Sequence, residues 1–164
     1  MNRRTALVTV ACPACAVGVL VLLWYHCIPR PAYTSRMTRP YCGLVAVANI
    51  CAFYGVETNM SEVYQYAGVG DEGTTLLGCK QALQALGIRS EALRFKSVAS
   101  LPEGIPILCV LRKESGAHAA VIVRRADQAI LIDGQEVRRI SLDRLDKITE
   151  HMALVPRQQS EKTL

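Results

Sequence analysis

The sequence predicts an α+β domain, with helical segments first along the chain and a set of short strands after them, the order expected of helices packed on an antiparallel sheet. Three observations carry this expectation. Runs over residues 42–54, 61–68 and 74–87 hold apolar residues at helical density and close on, or just before, a glycine. From Ile88 onward the pattern shortens, and apolar runs of five to eight residues alternate with polar, Gly or Pro breaks. The chain has 164 residues, 51% hydrophobic and 20% charged, enough for one domain with its own core and too apolar for a disordered segment.

Read from the N-terminus, "MNRR" is followed by "TALVTVACPACAVGVLVLLWY", about twenty residues without a charge. That length spans a bilayer core as a helix, and Trp24 and Tyr25 at its end suit the interface. Residues 1–29 are therefore expected to form a transmembrane anchor or signal segment. A cleaved signal peptide competes with the anchor, but its apolar region usually runs about 7–15 residues, and "WYHCIPRPAYTS" offers no clear small-residue cleavage pattern. Arg3 and Arg4 precede the segment, and Arg30, Arg36 and Arg39 follow it, so the positive-inside comparison is close to a tie. The short basic start before an apolar run reads as an export signal, which puts the domain of a single-pass protein outside the cytoplasm. Residues 30–40 read as a linker, since "IPRPAYTSRMTRP" holds three prolines and three arginines. The domain is expected at 41–157, and 158–164 as a polar tail.

Within the domain, "CGLVAVANICAFY" contains few breakers and is followed by Gly55, where a C-terminal cap belongs. It is apolar nearly all round, so this helix should lie in the centre of the molecule. "SEVYQYAG" follows as a short second helix, with Ser61 as the expected N-cap. "TTLLGCKQALQALG" starts at Thr74 or Thr75, carries Leu76, Leu83 and Leu86 as its expected buried stripe, and stops at Gly87. "IRSEALRF", "IPILCVL", "AHAAVIV", "QAILID" and "MALVP" are the expected strands of a four- to six-stranded sheet, with "SLDRLDKI" as one or two helical turns before the last.

Composition narrows the function. The net charge of +5 is spread without a basic stripe or interleaved aromatics, so no nucleic-acid partner is indicated. Seven cysteines, at 12, 15, 27, 42, 51, 79 and 109, form no disulfide framework. Cys12 and Cys15 make a "CPAC" pair, but they lie inside the expected membrane segment and read as small buried residues. Cys51, Cys79 and Cys109 sit within apolar patterns and read as core.

Cys42 differs from these because it opens its helix. Unpaired N–H groups and the helix dipole favour an anion there, so its thiol pKa should fall below the ordinary value of about 8.5. Gly43 beside it would let a substrate backbone approach. A buried core cysteine is the competing reading. A nucleophile also needs a base and a group that orients the base. Of His26, His118 and His151, only His118 has a distinctive setting, after a glycine at the mouth of the strand in "ESGAHAAVIV". "QAILID" ends the next strand in an acid. If the two strands form a hairpin turning near residues 125–128, His118 and Asp133 fall opposite or diagonal to one another, within side-chain reach. A slip of register would bring Gln135 there instead. An aspartate or an amide in that place would hold the imidazole in one tautomer.

From Tyr41 to Pro156 the chain resembles the bacteriocin-processing, double-glycine-leader cysteine peptidases. "CGLVAVANICAFYGV" is similar to the family's nucleophile helix, and "GTTLLGCKQALQALGIRSEAL" to its second helical block. "LPEGIPILCVLRKESGAHAAVIV" is similar to the block leading to the catalytic histidine, and "ILIDGQ" to the block holding the acid. The resemblance implies a papain-like fold, Cys42 as nucleophile, His118 as general base and acid, and Asp133 as the orienting group. It implies hydrolysis of a peptide bond in the leader or pro-peptide of an exported polypeptide. It implies no metal or organic cofactor, and an ABC exporter, here a separate chain, as a possible partner.

The sequence departs from the family's pattern at four places. Arg36 stands where the family has the oxyanion-hole glutamine, and Tyr41 where it has an acid before the cysteine. Ala119 replaces a large aromatic after the histidine, and Gly134 a proline after the acid. These departures leave a second expectation beside the first: a weakly active or inactive peptidase-like domain that binds a secreted peptide or an exporter component.

Overall fold

The structure, a computed structural model, describes residues 41–157 apart from Glu72 and Ser115. The expected anchor at 1–29, linker at 30–40 and tail at 158–164 lie outside the described residues. Among the described residues no helix is long and apolar enough to cross a membrane.

Three helices come first: α1 (Cys42–Phe53), α2 (Met60–Ala67) and, after a small hairpin of β1 (Val69–Gly70) and β2 (Gly73–Thr74), α3 (Leu76–Ala85). The remaining chain builds β3 (Ser90–Arg94), β4 (Pro106–Lys113), β5 (Gly116–Arg125), β6 (Gln128–Asp133), β7 (Glu136–Ser141), α4 (Leu142–Ile148) and β8 (Thr149–Pro156). Strands β3 to β8 form one six-stranded antiparallel sheet in the order β3-β8-β4-β5-β6-β7. The α+β expectation is met, at the upper end of the expected strand number.

The sheet has a core on each face. Leu108, Val121 and Leu154 pack with α1, α2 and α3, while Ile107, Cys109, Ala120, Ile122 and Ala153 pack with Leu131, Val98 and Leu145 on the other side. Central strands buried on both faces lose the alternation of a half-exposed strand, which is why "IPILCVL" reads as a continuous apolar run. Helix α1 is enclosed by the sheet and its two neighbouring helices, and every residue from Ala46 to Cys51 is buried. The one polar member of that stretch is Asn49. Cys51, Cys79 and Cys109 are core residues, as their patterns indicate.

Several local details differ from the sequence expectation. The N-cap of α2 is Asn59, whose side chain accepts from the Glu62 N–H at 3.1 Å while Glu62 returns a bond to the Asn59 N–H at 3.3 Å. This capping box satisfies two orphan donors and outcompetes a cap at Ser61, two residues later. In α3, capped by Thr75, the buried face is Gly78, Cys79, Ala82 and Leu83, with Leu76 and Leu86 only half-buried. Strand β7 has no counterpart among the expected strands. It is an edge strand in which only Ile140 is buried, so a single apolar position gives no period to read.

Candidate active site

Strand β5 is longer than its neighbour β6. The β5–β6 ladder runs from Arg125↔Gln128 to Val121↔Ile132 and stops, while β5 continues back to Gly116 paired, among the described residues, with β4 alone. The open edge of that extension receives the start of α1. The Ala119 N–H, beyond the end of the β6 ladder, donates to Cys42 Sγ at 3.4 Å. Cys42 is the first residue of α1, and its N-cap, Tyr41, makes no side-chain cap bond. No acidic side chain occupies the first turn, so none there competes with the sulfur for the positive end of the helix dipole. Tyr41 anchors this end of the helix by packing against Tyr64 of α2, ring centroids 6.5 Å apart.

His118 lies on the same extension, opposite Leu111 of β4. Its Nε2 is 2.5 Å from Asp133 Oδ1, and its ring lies close enough to the Cys42 sulfur for each group to shift the other's pKa. The hairpin turns at Ala126 and Asp127 as the sequence suggests, and its register sets Asp133 diagonal to His118. The same register, carried further, would put Gln135 opposite His118, but the chain turns away after Asp133. Asp133 pairs with Glu136 across a two-residue loop whose first member, Gly134, has φ +63°. Glycine adopts that conformation without strain and proline, locked near −65°, cannot. The structure thus accounts for the departure from proline at 134. Asn49 of α1 reaches the same loop, donating from Nδ2 to the Gly134 carbonyl at 3.3 Å.

The electrostatics follow from these contacts. Burial alone would push the Cys42 thiol up, but the His118 hydrogen bond, the Ala119 N–H, the imidazolium charge and the Gly43 N–H together bring it below its ordinary value. His118 is raised to about 9, chiefly by its hydrogen bond to Asp133 and then by that to Cys42, against the opposing effect of burial. Asp133 is lowered to about 2, first by His118 and, after burial's opposing effect, by Lys113, whose Nζ is 2.7 Å from Oδ2. The three shifts point the same way, each favouring the charged form of its group: thiolate, imidazolium and carboxylate. The other described thiols behave oppositely, pushed up by burial to about 11 at Cys51 and about 12 at Cys79 and Cys109.

All three residues singled out in the sequence for nucleophile, base and orienting group are therefore brought together. His151 is not among them; it lies 3.9 Å from Asp146 and edge-on to Phe95. His26 and Arg36 lie outside the described residues. The expectation for Gly43 is corrected. A Cβ at Gly43 would sit 2.9 Å from Cys79 Sγ and 3.2 Å from Thr74 Cβ, so its missing side chain admits the packing of α3 and the β2 segment rather than a substrate backbone. Sequence reading passed over Asn49 and Lys113. Asn49 carried a signal, as the one polar residue in an apolar helix; Lys113, an ordinary strand-end lysine, carried none. Among the described residues no group of His, Cys, Asp and Glu is arranged to hold a metal ion. A thiolate at a helix start, beside an imidazolium held by a carboxylate, can attack a carbonyl carbon and return the proton to the leaving group.

Comparison with known proteins gives a consistent picture. Residues 31–161 match the Peptidase C39 family. Two relatives are the lactococcin-A transport/processing ATP-binding protein LcnC of Lactococcus lactis, 37% identical over 103 residues, and the pediocin PA-1 transport/processing ATP-binding protein PedD of Pediococcus acidilactici, 28% identical over 103 residues. Each alignment covers 61% of this chain but only 14% of the relative's length. Among solved structures, the peptidase domain of Streptococcus ComA, a bifunctional ABC transporter of a quorum-sensing pathway, superposes with a TM-score of 0.65 at 21% identity, covering 77% of this chain and 97% of that one. A double-glycine-motif protease from an AMS/PCAT transporter, in complex with the leader peptide, gives 0.66 at 17% identity, covering 77% and 89%. At these identities the two structures show a shared fold.

Proposed function

The chain belongs to the Peptidase C39 family and carries a cysteine peptidase domain, and on that basis we propose that it hydrolyses a peptide bond by Cys42–His118–Asp133 catalysis, releasing the leader of an exported polypeptide. The observation that supports this reading is the convergence of the Cys42 sulfur, which the Ala119 N–H reaches at 3.4 Å, with a His118 ring held by Asp133 at 2.5 Å. The Cys42 thiolate attacks the scissile carbonyl carbon, and the resulting oxyanion faces the N–H groups at the start of α1. His118 passes its proton to the leaving amine as the C–N bond breaks, leaving a thioester on Cys42. The now neutral imidazole takes a proton from water, whose oxygen attacks the thioester, and the thiolate is released. Asp133 holds His118 in the required tautomer throughout.

The relatives support the substrate class, since their names pair transport with processing, and one structural neighbour is a double-glycine-motif protease with a leader peptide. An ABC exporter is the corresponding partner. Incubating the full chain with synthetic leader peptides ending in Gly-Gly, followed by mass spectrometry, tests the reading. Cleavage after the second glycine is expected, with Cys42→Ala slower by at least about 10³-fold. Binding of the leader without cleavage would instead support the expectation of a peptide-binding domain without activity.

A further inference from the structure

We propose that Lys113 is a positioning residue of the site, clamping the second oxygen of Asp133 so that the first stays aimed at His118. The inference rests on the peptidase reading above.

The geometry begins with the carboxylate. A carboxylate that holds an imidazole through one oxygen can rotate about its terminal bond unless the other oxygen is also held. Asp133 is held at both: Oδ1 by His118 Nε2 at 2.5 Å and Oδ2 by Lys113 Nζ at 2.7 Å. The two holders sit on one hairpin, with Lys113 of β4 paired to Gly116 and His118 of β5 paired to Leu111. Lys113 and His118 therefore lie diagonal to one another on one face of the hairpin, with the carboxylate between them. Asp133 is 14% exposed and Lys113 41%, so the lysine closes the solvent side of a largely buried acid.

The charges facing Asp133 are those of His118 from β5, Lys113 from β4 and, beyond His118, the Cys42 thiolate from α1. Glu136, its partner across the turn on β7, is engaged instead with Arg138 at 3.4 Å. In the thiolate–imidazolium form that the peptidase reading requires, the line Cys42–His118–Asp133–Lys113 alternates minus, plus, minus, plus and sums to zero. Replacing Lys113 by a neutral side chain leaves a net negative site, and each of the other three groups then holds its proton more tightly. Both limbs of the pH–rate profile must move to higher pH together.

Lys113→Met and Lys113→Arg test this, with kcat, KM and the pH profile measured on a Gly-Gly leader peptide, and the pH dependence of iodoacetamide labelling at Cys42 measured alongside. For Lys113→Met, kcat is expected to fall about tenfold with KM changed less than about twofold, since the orientation acts on the chemical step. Both limbs, and the labelling midpoint, are expected to rise by about half a pH unit. Lys113→Arg should restore most of the rate and the wild-type midpoints. A half-exposed ion pair adds little to folding, so the Met variant should melt within about two degrees of wild type. Unchanged kcat and midpoints in Lys113→Met would overturn the proposal, as would an Arg variant no better than Met. The labelling midpoint is read without cleavage. If the wild-type chain fails to cleave while the midpoint still shifts, the peptidase reading fails and the clamp stands.

Discussion

At Cys42 the largest single influence on the thiol is burial, which opposes ionisation, and the sulfur is nonetheless lowered because several weaker influences point the other way. The consequence for pH can be worked out from its partners. The raised pKa of His118 gives folding stability that is fully present below 6.5 and lost as the pH rises to about 9. The depressed pKa of Asp133 gives stability that is present above 3.8 and lost as the pH falls towards about 2. Both contributions are complete between 3.8 and 6.5. Thermal unfolding from acid to alkaline pH should show the decline on the alkaline side, and His118→Ala should flatten it. The same shift sets activity: the alkaline limb of kcat/KM is expected near pH 9, where the imidazolium is lost. Asp133→Asn should bring that limb down towards 6.5 and reduce kcat by at least about 10²-fold.

At the scale of elements, the site depends on how closely α3 approaches α2 and on the turn after β6. A Cβ at Gly78 would lie 2.0 Å from the Ala67 carbonyl oxygen, a backbone atom at the end of α2 that cannot swing aside. Gly78→Ala is expected to cost about 1–3 kcal/mol, read as a fall in denaturant midpoint. Gly134→Pro replaces a φ of +63° by one near −65° and should displace Asp133, lowering kcat far more than it raises KM. Asn49→Leu removes the tie between α1 and the Gly134 carbonyl. Its Oδ1 has no hydrogen-bond partner among the described residues, so an apolar replacement should leave stability within about 1 kcal/mol while kcat falls about tenfold. Much of this scale was legible in the sequence. A glycine-terminated apolar run with a cysteine at its head marks α1, and the β5–β6 hairpin follows from two apolar runs around a polar turn. The charged strand β7 and the α2 cap at Asn59 were not, because one buried residue sets no period and two polar residues competed for the cap. The close packing against Gly43 and Gly78 was equally hidden, since a glycine in a helix does not say which neighbour it admits.

For the whole molecule, the decisive arrangement is one sheet with a core on each face and a strand that outruns its neighbour. The first core buries α1, the overhang of β5 supplies the histidine and the N–H beside the sulfur, and the end of β6 supplies the acid. Cys42 and His118 are 76 residues apart and His118 and Asp133 are 15 apart in sequence, so no local pattern joins the first pair. The sequence offers three residue types in suitable settings, and only the sheet order turns them into one site. Lys113 lies beyond such reading, because its part is defined by which oxygen of Asp133 His118 leaves free.

Site-resolved labelling of the full chain with iodoacetamide at pH 6.5, in wild type and His118→Ala, probes the thiolate–imidazolium pair directly. Cys42 is expected to react fastest of the seven cysteines, with Cys79 and Cys109, pushed up to about 12, essentially unlabelled on the same timescale. Its rate should fall at least tenfold, roughly one pKa unit's worth of thiolate, when His118 is replaced. A Cys42 that labels no faster than Cys79, or at the same rate without His118, would contradict the nucleophile assignment.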